Sequence, residues 1–282
     1  MSDRVETPEQ RPLESTRTVR LAALTGAEEV GRIDQSEDYH EASRVYRETV
    51  DPLVTGARRL QTNRELRVSA TRSVKRYGHL PHVELPGASL GAATLAMCLA
   101  QRRSRRTFDD DPVTLEQLAA LLHGGYGVSG ALEGTPQLLR TAPSGGALHP
   151  LELYVLAGRV AGLDAGTYHY DPFRHVLERL GAGQGDPDRL TPYGDVVAAS
   201  AAVIAVTAMV WRSRFKYGAR AYRFVLLEAG HVAQNVLLAA AALGLAAVPL
   251  GGFYDREVDA ALGADGVYEA SLYLIPVGRR VP

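Results

Sequence analysis

Lys216 and Tyr217 are adjacent residues that could together supply a catalytic base. They lie just before a long apolar segment, Phe224 to Leu243. An ammonium group within a few ångströms of a phenol favours the phenolate, and partial burial lowers the pKa of a lysine. One of the two groups can then accept a proton near neutral pH. Because Lys–Tyr neighbours are also common without a catalytic role, the pair has to be judged together with the other motifs of the chain.

Two arginine clusters have the chemistry of a phosphate site. Planar guanidinium groups form paired, charge-assisted hydrogen bonds with phosphate oxygens. One cluster follows a predicted helix, and the other follows a predicted strand near the C-terminus. The clusters contain Arg102, Arg103, Ser104, Arg106, Arg279 and Arg280. Each cluster could instead be a solvated basic segment, which is favourable at the C-terminal end of a helix.

Two short segments each contain a proline and a pair of glycines. Small residues let backbone amides approach a bound group closely, where the amides can stabilise negative charge. The two segments consist of Pro143, Ser144, Gly145 and Gly146, and of Pro249, Leu250, Gly251 and Gly252. The first segment has a composition that an ordinary turn would also use.

The elements that must position these residues follow from local patterns. Thr114 and Gln117 have the spacing of a capping box, and Gly124 is predicted to end the helix that they begin. The predicted strands are Leu151 to Ala157, Ala202 to Met209 and Ser271 to Val277, with a hairpin formed by Thr167 to Tyr170 and His175 to Leu180. The other predicted helices are Asp38 to Val50, Ala92 to Arg102 and Tyr222 to Leu243. Strands among helices without regular βαβ repeats indicate an α+β fold.

Two further features allow more than one interpretation. The segment from Gly125 to Gly130 formally matches a dinucleotide fingerprint, but it follows a helix instead of a strand. We therefore predict a glycine-rich loop there and no Rossmann site. Glu228, His231 and Asn235 lie at helical spacing on one face of the long apolar helix. They could line the active site, but we favour a polar stripe at a dimer interface.

Taken in the order in which they occur along the chain, the motifs resemble those of the FMN-dependent nitroreductase superfamily. More narrowly, the chain resembles the SagB-type branch, whose members oxidise azolines to azoles in ribosomally made, post-translationally modified peptides. The resemblance covers Leu95 to Arg280, roughly two thirds of the chain. It implies a nitroreductase-like α+β sandwich, in which helices flank a central, mainly antiparallel sheet. It also implies an interlocked homodimer that binds FMN.

The resemblance further implies a role for each motif. The arginine clusters would contact the FMN phosphate, with either Arg279 or Arg280 reaching it, and the two glycine segments would approach the flavin ring, the first from the partner subunit. Lys216 and Tyr217 correspond to the catalytic pair, with Tyr217 as the base and Lys216 as its electrostatic partner, or the reverse. The base would remove a ring proton while a hydride passes to the flavin, which O₂ would reoxidise. A cyclodehydratase partner, which makes the azolines, is implied by the resemblance alone.

The chain departs from plain nitroreductases at two positions. Many of them carry an asparagine shortly after the first glycine segment, where this chain has Ala147, Leu148 and His149, and a glutamate where it has Gly251. Both departures favour an azoline dehydrogenase over reduction driven by NAD(P)H. Two alternatives stay open: an NAD(P)H-dependent nitroreductase or flavin reductase, and a flavin-free scaffold subunit of a peptide-modifying synthetase complex.

Composition excludes several classes of protein. The 282 residues are 46% apolar and 22% charged with a net charge of −1, which gives no support for nucleic-acid binding. A single cysteine, Cys98, excludes an intramolecular disulfide framework, and we predict no metal site. The first 20 residues lack the apolar region of an export signal, and Glu228 and His231 interrupt the most apolar run. We therefore predict a soluble, cytoplasmic protein.

The chain divides into three predicted regions. Residues 1–20 are rich in Glu, Thr, Pro and Arg without periodicity, and we predict that they are disordered. Residues 21–90 would form an N-terminal extension of unknown role, which is usual in SagB-type proteins. Residues 91–282 would form the nitroreductase-like FMN-binding domain.

Overall fold

The structure is a computed structural model that describes residues 35–47, 56, 58, 62–71, 73–135, 137–181 and 186–281. The predicted disordered segment, residues 1–20, lies outside these ranges. Contacts divide the chain into one unit up to Arg44 and a second unit from Val45 onward. In the first unit, helix α1 spans Gln35–Ala42. It begins and ends earlier than the helix predicted over Asp38 to Val50, whose last three residues are outside the described ranges.

The second unit is built on a seven-stranded sheet. Its strands are β1 (His82–Glu84), β5 (Leu151–Ala157), β7 (Gly166–Asp171), β8 (Val176–Gly181), β9 (Ala202–Ala208), β10 (Leu245–Ala247) and β11 (Ala270–Arg279). They lie in the order β1-β8-β7-β5-β9-β11-β10, and every neighbouring pair is antiparallel. Two small sheets pair β2 (Val113–Thr114) with β6 (Val160–Ala161), and β3 (Val128–Ala131) with β4 (Leu138–Arg140). The predicted strands and hairpin are confirmed, with β11 three residues longer than expected.

Helices cover both faces of this sheet. The α-helices with defined bounds in this unit are α2 (Arg64–Thr71), α3 (Leu95–Gln101), α4 (Leu115–Tyr126), α5 (Pro187–Leu190), α6 (Gly194–Ala199), α7 (Trp211–Tyr217), α8 (Ala221–Ala242) and α9 (Asp255–Leu262). Side chains alternate between the two faces of a strand. Accordingly, Leu153 and Val155 of β5 join one core cluster with α4 and α8, whereas Tyr154 and Leu156 join a second cluster with α6 and α9. The predicted α+β sandwich is confirmed.

Local sequence signals explain some helix boundaries, and packing explains others. Thr114 and Gln117 form the predicted capping box at the start of α4. Gly124 does not end this helix, which continues to Tyr126. A Cβ on Gly125 would lie 2.7 Å from Val236 Cγ2 of α8, so glycine there permits close contact between two helices. The predicted glycine-rich loop from Gly125 to Gly130 is therefore wrong, because α4 and β3 occupy most of it.

Part of the region predicted as an extension belongs to the main sheet. Strand β1 pairs with β8, and the residues before it contact buried carboxylates of the sheet. The Lys75 ammonium lies 2.6 Å from Glu269 Oε2, and the backbone N–H of Lys75 donates to Glu152 Oε1 at 2.7 Å. The backbone N–H of Tyr77 donates to Glu178 Oε2 at 3.1 Å. These contacts attach residues 73–84 to the sheet.

One stretch of the described residues, Trp211–Ala242, is long and apolar enough to cross a membrane. Half of its most apolar window is buried inside the protein, and the core helix of a soluble protein passes the same test. Cys98, the single cysteine of the chain, lies buried on α3. We describe the second unit as a soluble domain in which α8 is the central helix.

Candidate active site

Lys216 and Tyr217 lie at the end of α7, where the chain breaks before α8. Gly218 makes this break with a φ of 55° and a ψ of −138°, a conformation that favours glycine. The Lys216 ammonium is 4.8 Å from the centroid of the Tyr217 ring. That ring packs edge-on against Phe224, with centroids 4.8 Å apart. Both side chains are half-buried, so their functional atoms are held by packing and still open to a substrate.

The first glycine segment lies directly against this pair. A Cβ on Gly146 would be 2.7 Å from the Tyr217 hydroxyl and closer still to Lys216 Nζ, and one on Gly145 would contact the Phe224 ring at 3.5 Å. The two motifs, which are 70 residues apart in the sequence, thus meet at one point. Only a residue without a side chain fits between the loop and the pair.

The loop has an unusual backbone. Gly146 has a φ of 67°, and two residues with side chains, Ala147 and His149, have φ values of 54° and 46°. Left-handed conformations of this kind are unfavourable for residues other than glycine and persist only where the surroundings determine them. The Ser144 hydroxyl oxygen accepts the His149 N–H at 2.9 Å, which closes the loop upon itself.

Glu228 of α8 lies beneath the loop. Its side chain is buried and accepts a hydrogen bond from the Tyr126 hydroxyl at 2.5 Å. Burial raises the pKa of Glu228 to about 7, while hydrogen bonds from Ser144 and Tyr126 and the charge of Arg140 act in the opposite direction. The prediction that Glu228 belongs to a dimer-interface stripe is therefore wrong, since its partners lie within one chain.

The two other residues of the predicted polar stripe behave differently from Glu228. His231 is exposed, and Asn235 donates from Nδ2 to the Thr141 carbonyl at 3.3 Å. The partner of Glu228, Tyr126, is 102 residues away in the sequence, so the sequence pattern of the helix carried no sign of this contact.

A neutral histidine, His149, and a buried arginine, Arg140, lie near Glu228. Burial, together with the charge of Arg140, lowers the pKa of His149 to about 3, so the ring is neutral at physiological pH. Neither ring nitrogen of His149 has a hydrogen-bond partner among the described residues. The Arg140 guanidinium lies 4.3 Å from the centroid of the Tyr126 ring and 5.2 Å from that of Phe173. Together these groups form a buried polar layer under the loop.

The predicted phosphate residues lie at the other end of α8. Three of them, Arg102, Arg103 and Arg280, line a solvent-open cleft. Its lining is Gln101, Arg102, Arg103, Arg105, Leu237, Ala240, Ala241, Gly244, Leu245, Ala247 and Arg280. Four guanidinium groups and no carboxylate among these lining residues make the cleft suited to a phosphate group.

Assignments within the arginine clusters can be refined from this arrangement. Arg105 lines the cleft although it was not among the predicted residues, whereas Arg106 is exposed and does not. Arg280 lines the cleft, while the backbone of Arg279 pairs with Asp109 and Leu245. Contact of any of these residues with a phosphate stays a prediction.

The second glycine segment is close to the arginine cleft. Ser104 bridges to Ala247, and the N–H of Arg105 donates to the Ala247 carbonyl at 3.0 Å, two residues before Pro249. Leu250 pairs with Leu274, and the Gly252 carbonyl accepts a bond from the Thr191 hydroxyl at 2.7 Å. A Cβ on Gly251 would meet nothing within 4 Å, so this position is open.

The predicted site residues therefore form two groups within one chain. One group, the loop and the predicted catalytic pair, surrounds Phe224 near the start of α8, and the other surrounds Ala241 near its end. At a rise of 1.5 Å per residue, these positions are about 25 Å apart along the helix axis.

Comparison with known proteins identifies the family. Residues 99–279 match the nitroreductase family. A protein of Methanocaldococcus jannaschii that is named as a nitroreductase is 36% identical over 206 residues, which are 72% of this chain and 99% of that protein.

Two peptide-processing proteins are also similar to parts of the chain. The trifolitoxin-processing protein TfxB of Rhizobium leguminosarum is 36% identical over 115 residues, 38% of this chain and 31% of its own length. The microcin B17-processing protein McbC of Escherichia coli is 31% identical over 141 residues, 45% of this chain and 49% of its own length. These relatives bear out the resemblance to peptide-processing members of the superfamily.

Solved structures support the same assignment at the level of the fold. A chain of the E. coli microcin synthetase McbBCD complex with truncated pro-MccB17 superposes with a TM-score of 0.55 at 21% identity, over 89% of this chain and 99% of that one. The family match and the superposition agree with the antiparallel sheet and flanking helices described above. The chain belongs to the nitroreductase family.

Proposed function

We propose that this protein is an FMN-dependent dehydrogenase that oxidises thiazoline or oxazoline rings of a modified precursor peptide to thiazoles or oxazoles. Family membership establishes an oxidoreductase. The names of TfxB and McbC support a peptide as the substrate. The observation that carries the proposal is the convergence of the Lys216 ammonium and the Tyr217 hydroxyl on Gly146.

FMN is the cofactor of this family, and the cleft has the chemistry to hold its phosphate. Arg102, Arg103, Arg105 and Arg280 would bind the phosphate, and the two glycine segments would approach the ring. Bound FMN would supply the acceptor for the hydride from one ring carbon of the azoline, and O₂ would be the final two-electron oxidant, giving H₂O₂.

The catalytic pair would carry out the proton transfer. The proton of the adjacent ring carbon moves to the Tyr217 oxygen, and the electron pair of that C–H bond forms the new ring double bond. The Lys216 ammonium, 4.8 Å from the centroid of the tyrosine ring, stabilises the phenolate that accepts the proton. Phe224 fixes the ring orientation by edge-on packing. The opposite assignment, with neutral lysine as the base, uses the same geometry.

A homodimer would join the two groups of site residues. The arginine cleft of one copy and the catalytic pair of another can meet at one FMN if two α8 helices lie antiparallel about a twofold axis. The N-terminal half of α8 supports this arrangement, because its apolar residues Tyr222, Leu226 and Leu227 are between 41% and 60% exposed. Leu95 and Leu99 of α3 are exposed as well. Such apolar surfaces are typical of subunit interfaces.

The partners and the location follow from the same proposal. The solved McbBCD complex contains a truncated pro-peptide, which supports a precursor peptide and synthetase subunits as partners of this chain. A cyclodehydratase would supply the azolines. We propose that the reaction takes place in the cytoplasm.

The proposal can be tested by anaerobic absorbance spectroscopy of the FMN-loaded protein. A synthetic peptide with one thiazoline ring should bleach the flavin band and lose two daltons as its ring becomes a thiazole. Lys216→Ala and Tyr217→Phe should bind FMN and fail to bleach it. Full-rate oxidation by both variants would rule out the mechanism.

The same spectra distinguish this proposal from the two alternatives, an NAD(P)H-dependent reductase and a flavin-free scaffold subunit. Bleaching by NADPH alone, without oxidation of the peptide, would assign the protein to the nitroreductases or flavin reductases. Absence of bound flavin, together with an unchanged melting temperature after addition of FMN, would leave the scaffold role.

A further inference from the structure

We propose that Glu152 is a positioning residue of the active site: one of its carboxylate oxygens joins helix α7 to residues 73–77 and thereby holds Lys216 and Tyr217 in place. The inference rests on the proposed function only in taking these two residues as the catalytic pair. The effect of Glu152 passes through Arg212 of α7, which it contacts directly.

Helix α7 depends on an anchor of this kind. It has seven residues, of which Lys216 and Tyr217 are the last two. Among the described residues, no side chain caps its N-terminus, and Ser213 is its one buried residue. Helices this short are not stable by themselves and require tertiary contacts. The position of the pair therefore depends on the few groups that attach α7 to the rest of the domain.

The main anchor is an ion pair on one face of α7. Arg212 Nη2 lies 2.6 Å from Glu152 Oε1, and the two side chains are 15% and 1% exposed. Arg212 precedes Lys216 by four residues, so both lie on the same face of the helix. The backbone of Lys216 is also closely packed, because a Cβ on Gly56 would lie 2.7 Å from its Cα. The ion pair and this packing both act at the face that carries Lys216.

Glu152 is itself fixed from two further directions. The backbone N–H of Lys75 donates to the same Oε1 at 2.7 Å, and His169 Nε2 lies 3.0 Å from Oε2. Burial acts to raise the pKa of Glu152, but the hydrogen bond with His169 and the charge of Arg212 outweigh it, so the pKa lies below its usual range and the carboxylate is ionised. A buried ion pair adds little net stability compared with apolar residues of similar volume. We therefore assign this pair to the placement of α7.

The shared oxygen gives part of the N-terminal extension a role. Lys75 precedes residue 99, where the match to the nitroreductase family begins. Its backbone N–H and the Arg212 guanidinium meet at one oxygen, so a displacement of residues 73–77 changes the contact that holds α7. These residues are thus part of the support of the active site.

The test measures amide hydrogen exchange of α7 by mass spectrometry in the purified full-length protein. Glu152→Gln keeps the volume and removes the charge, and Arg212→Met keeps most of the apolar stem and removes the guanidinium. In both variants the amides of α7 should exchange on the order of tenfold faster, the factor expected for the loss of one hydrogen bond between charged groups. The amides of α6 should be unaffected. Unchanged exchange of α7 in both variants, or an equal increase in α6, would overturn the proposal.

Two comparisons separate positioning from a general loss of stability. Arg212→Lys retains a cation that can reach Glu152 and should restore most of the protection of α7, whereas exchange as fast as in Arg212→Met would contradict a role of the charge. Asp259→Asn removes another buried carboxylate, which accepts the Ser271 hydroxyl at 2.7 Å, and should leave the exchange of α7 unchanged. Because Arg212 is the more exposed member of the pair, its two variants decide the question even if Glu152→Gln does not fold.

A double variant tests whether the two residues act as one contact. Glu152→Gln combined with Arg212→Met should exchange α7 no faster than the stronger single variant. Additive effects would contradict transmission from Glu152 through Arg212.

A second readout links α7 to the reaction. With saturating thiazoline peptide, single-turnover bleaching of the flavin should be at least about tenfold slower in Glu152→Gln and in Arg212→Met. The dissociation constant of FMN should be unchanged, since the proposed phosphate cleft lies at the other end of α8. A parental rate in both variants would contradict positioning. If the parent does not oxidise the peptide at all, the proposed function fails, while the exchange of α7 still decides the role of Glu152.

Discussion

At the scale of single residues, Glu228 should destabilise the folded chain above neutral pH. Its ordinary pKa is 4.5 and its pKa in the fold is about 7, so between these values the folded state binds more protons than the unfolded state. The free energy of unfolding should therefore fall as the pH rises through this window. The cost above pH 7 is on the order of 3 kcal/mol.

Urea unfolding of Glu228→Gln measures this cost. The difference in the free energy of unfolding between the variant and the parent should increase in favour of the variant as the pH rises from 4.5 to 8. Glu133→Gln, at an exposed position, serves as the surface control. A difference from the parent that is the same at both pH values would contradict the assignment. A buried carboxyl that lowers stability at working pH is typical of a functional site.

Gly146 gives a second prediction at this scale. In Gly146→Ala, the new methyl group would collide with the Tyr217 hydroxyl and Lys216 Nζ, so the pair must move. We expect the single-turnover rate to fall at least about tenfold, because small displacements of catalytic groups have effects of this size or larger. Stopped-flow absorbance of the flavin measures that rate.

The control for this prediction is Gly134→Ala. Gly134 has a φ of 70°, close to the 67° of Gly146, but open space around it. Both variants should lose about 1–2 kcal/mol of stability from backbone strain, and only Gly146→Ala should lose activity. Equal activity of the two variants would show that the contact with the pair is unimportant.

Residues that belong to contiguous motifs could be predicted from the sequence. The contacts that join these motifs in the fold could not. The proposed catalytic pair and the first glycine segment are separate motifs in the sequence, and the fold brings them together. Arg105 was missed because only its position beside β10 shows that it faces the cleft. Glu228 was misassigned because Tyr126, its partner, is contributed by a different helix. Contacts between distant segments have no local signal.

At the scale of elements, the segment before β1 should contribute to stability through its buried ion pair. Lys75→Ala would leave the Glu269 carboxylate, which is 4% exposed, without its ammonium partner. The hydroxyls of Tyr154 and Thr207 would still donate to it. We expect a loss of about 1–3 kcal/mol in the free energy of unfolding by urea.

An exposed ion pair provides the control for Lys75→Ala. Arg179 and Asp164 lie 3.3 Å apart with exposed side chains, so Arg179→Ala should cost no more than about 1 kcal/mol. Similar losses in the two variants would show that residues 73–84 are held by strand pairing alone.

Elements with local signals were predicted best. The capping box of α4, the apolar run of β5 and the hairpin of β7 and β8 all appear where expected. Strand β1 was not predicted, because it is three residues long and mostly exposed, and its pairing with β8 defines it. Gly124 was interpreted as a helix stop, although glycines at this point serve the packing of α4 on α8.

At the scale of the whole molecule, the proposed dimer predicts complementation between two inactive variants. Tyr217→Phe damages the catalytic pair, and Arg102→Ala combined with Arg280→Ala damages the cleft. If each site takes its cleft from one copy and its pair from the other, a mixed dimer contains one intact site. Co-expression should restore about one quarter of the parental sites for random pairing under twofold symmetry.

The measurement is the rate of thiazole formation, followed by mass spectrometry, after co-expression of the two differently tagged variants. Each variant expressed alone is the control and should stay inactive. Failure of a purified mixed dimer to oxidise the peptide would show that one copy supplies both groups of residues, against the separation of about 25 Å along α8.

The short strand β1 has a protective consequence for the molecule. It covers the outer edge of β8, pairing His82 with Glu178 and Glu84 with Val176. If the chain were shortened to begin at Gly91, this edge would expose unpaired N–H and C=O groups, which recruit strands from other molecules. Glu178 would also lose the N–H of Tyr77. A shortened chain should therefore aggregate even if its catalytic residues are intact.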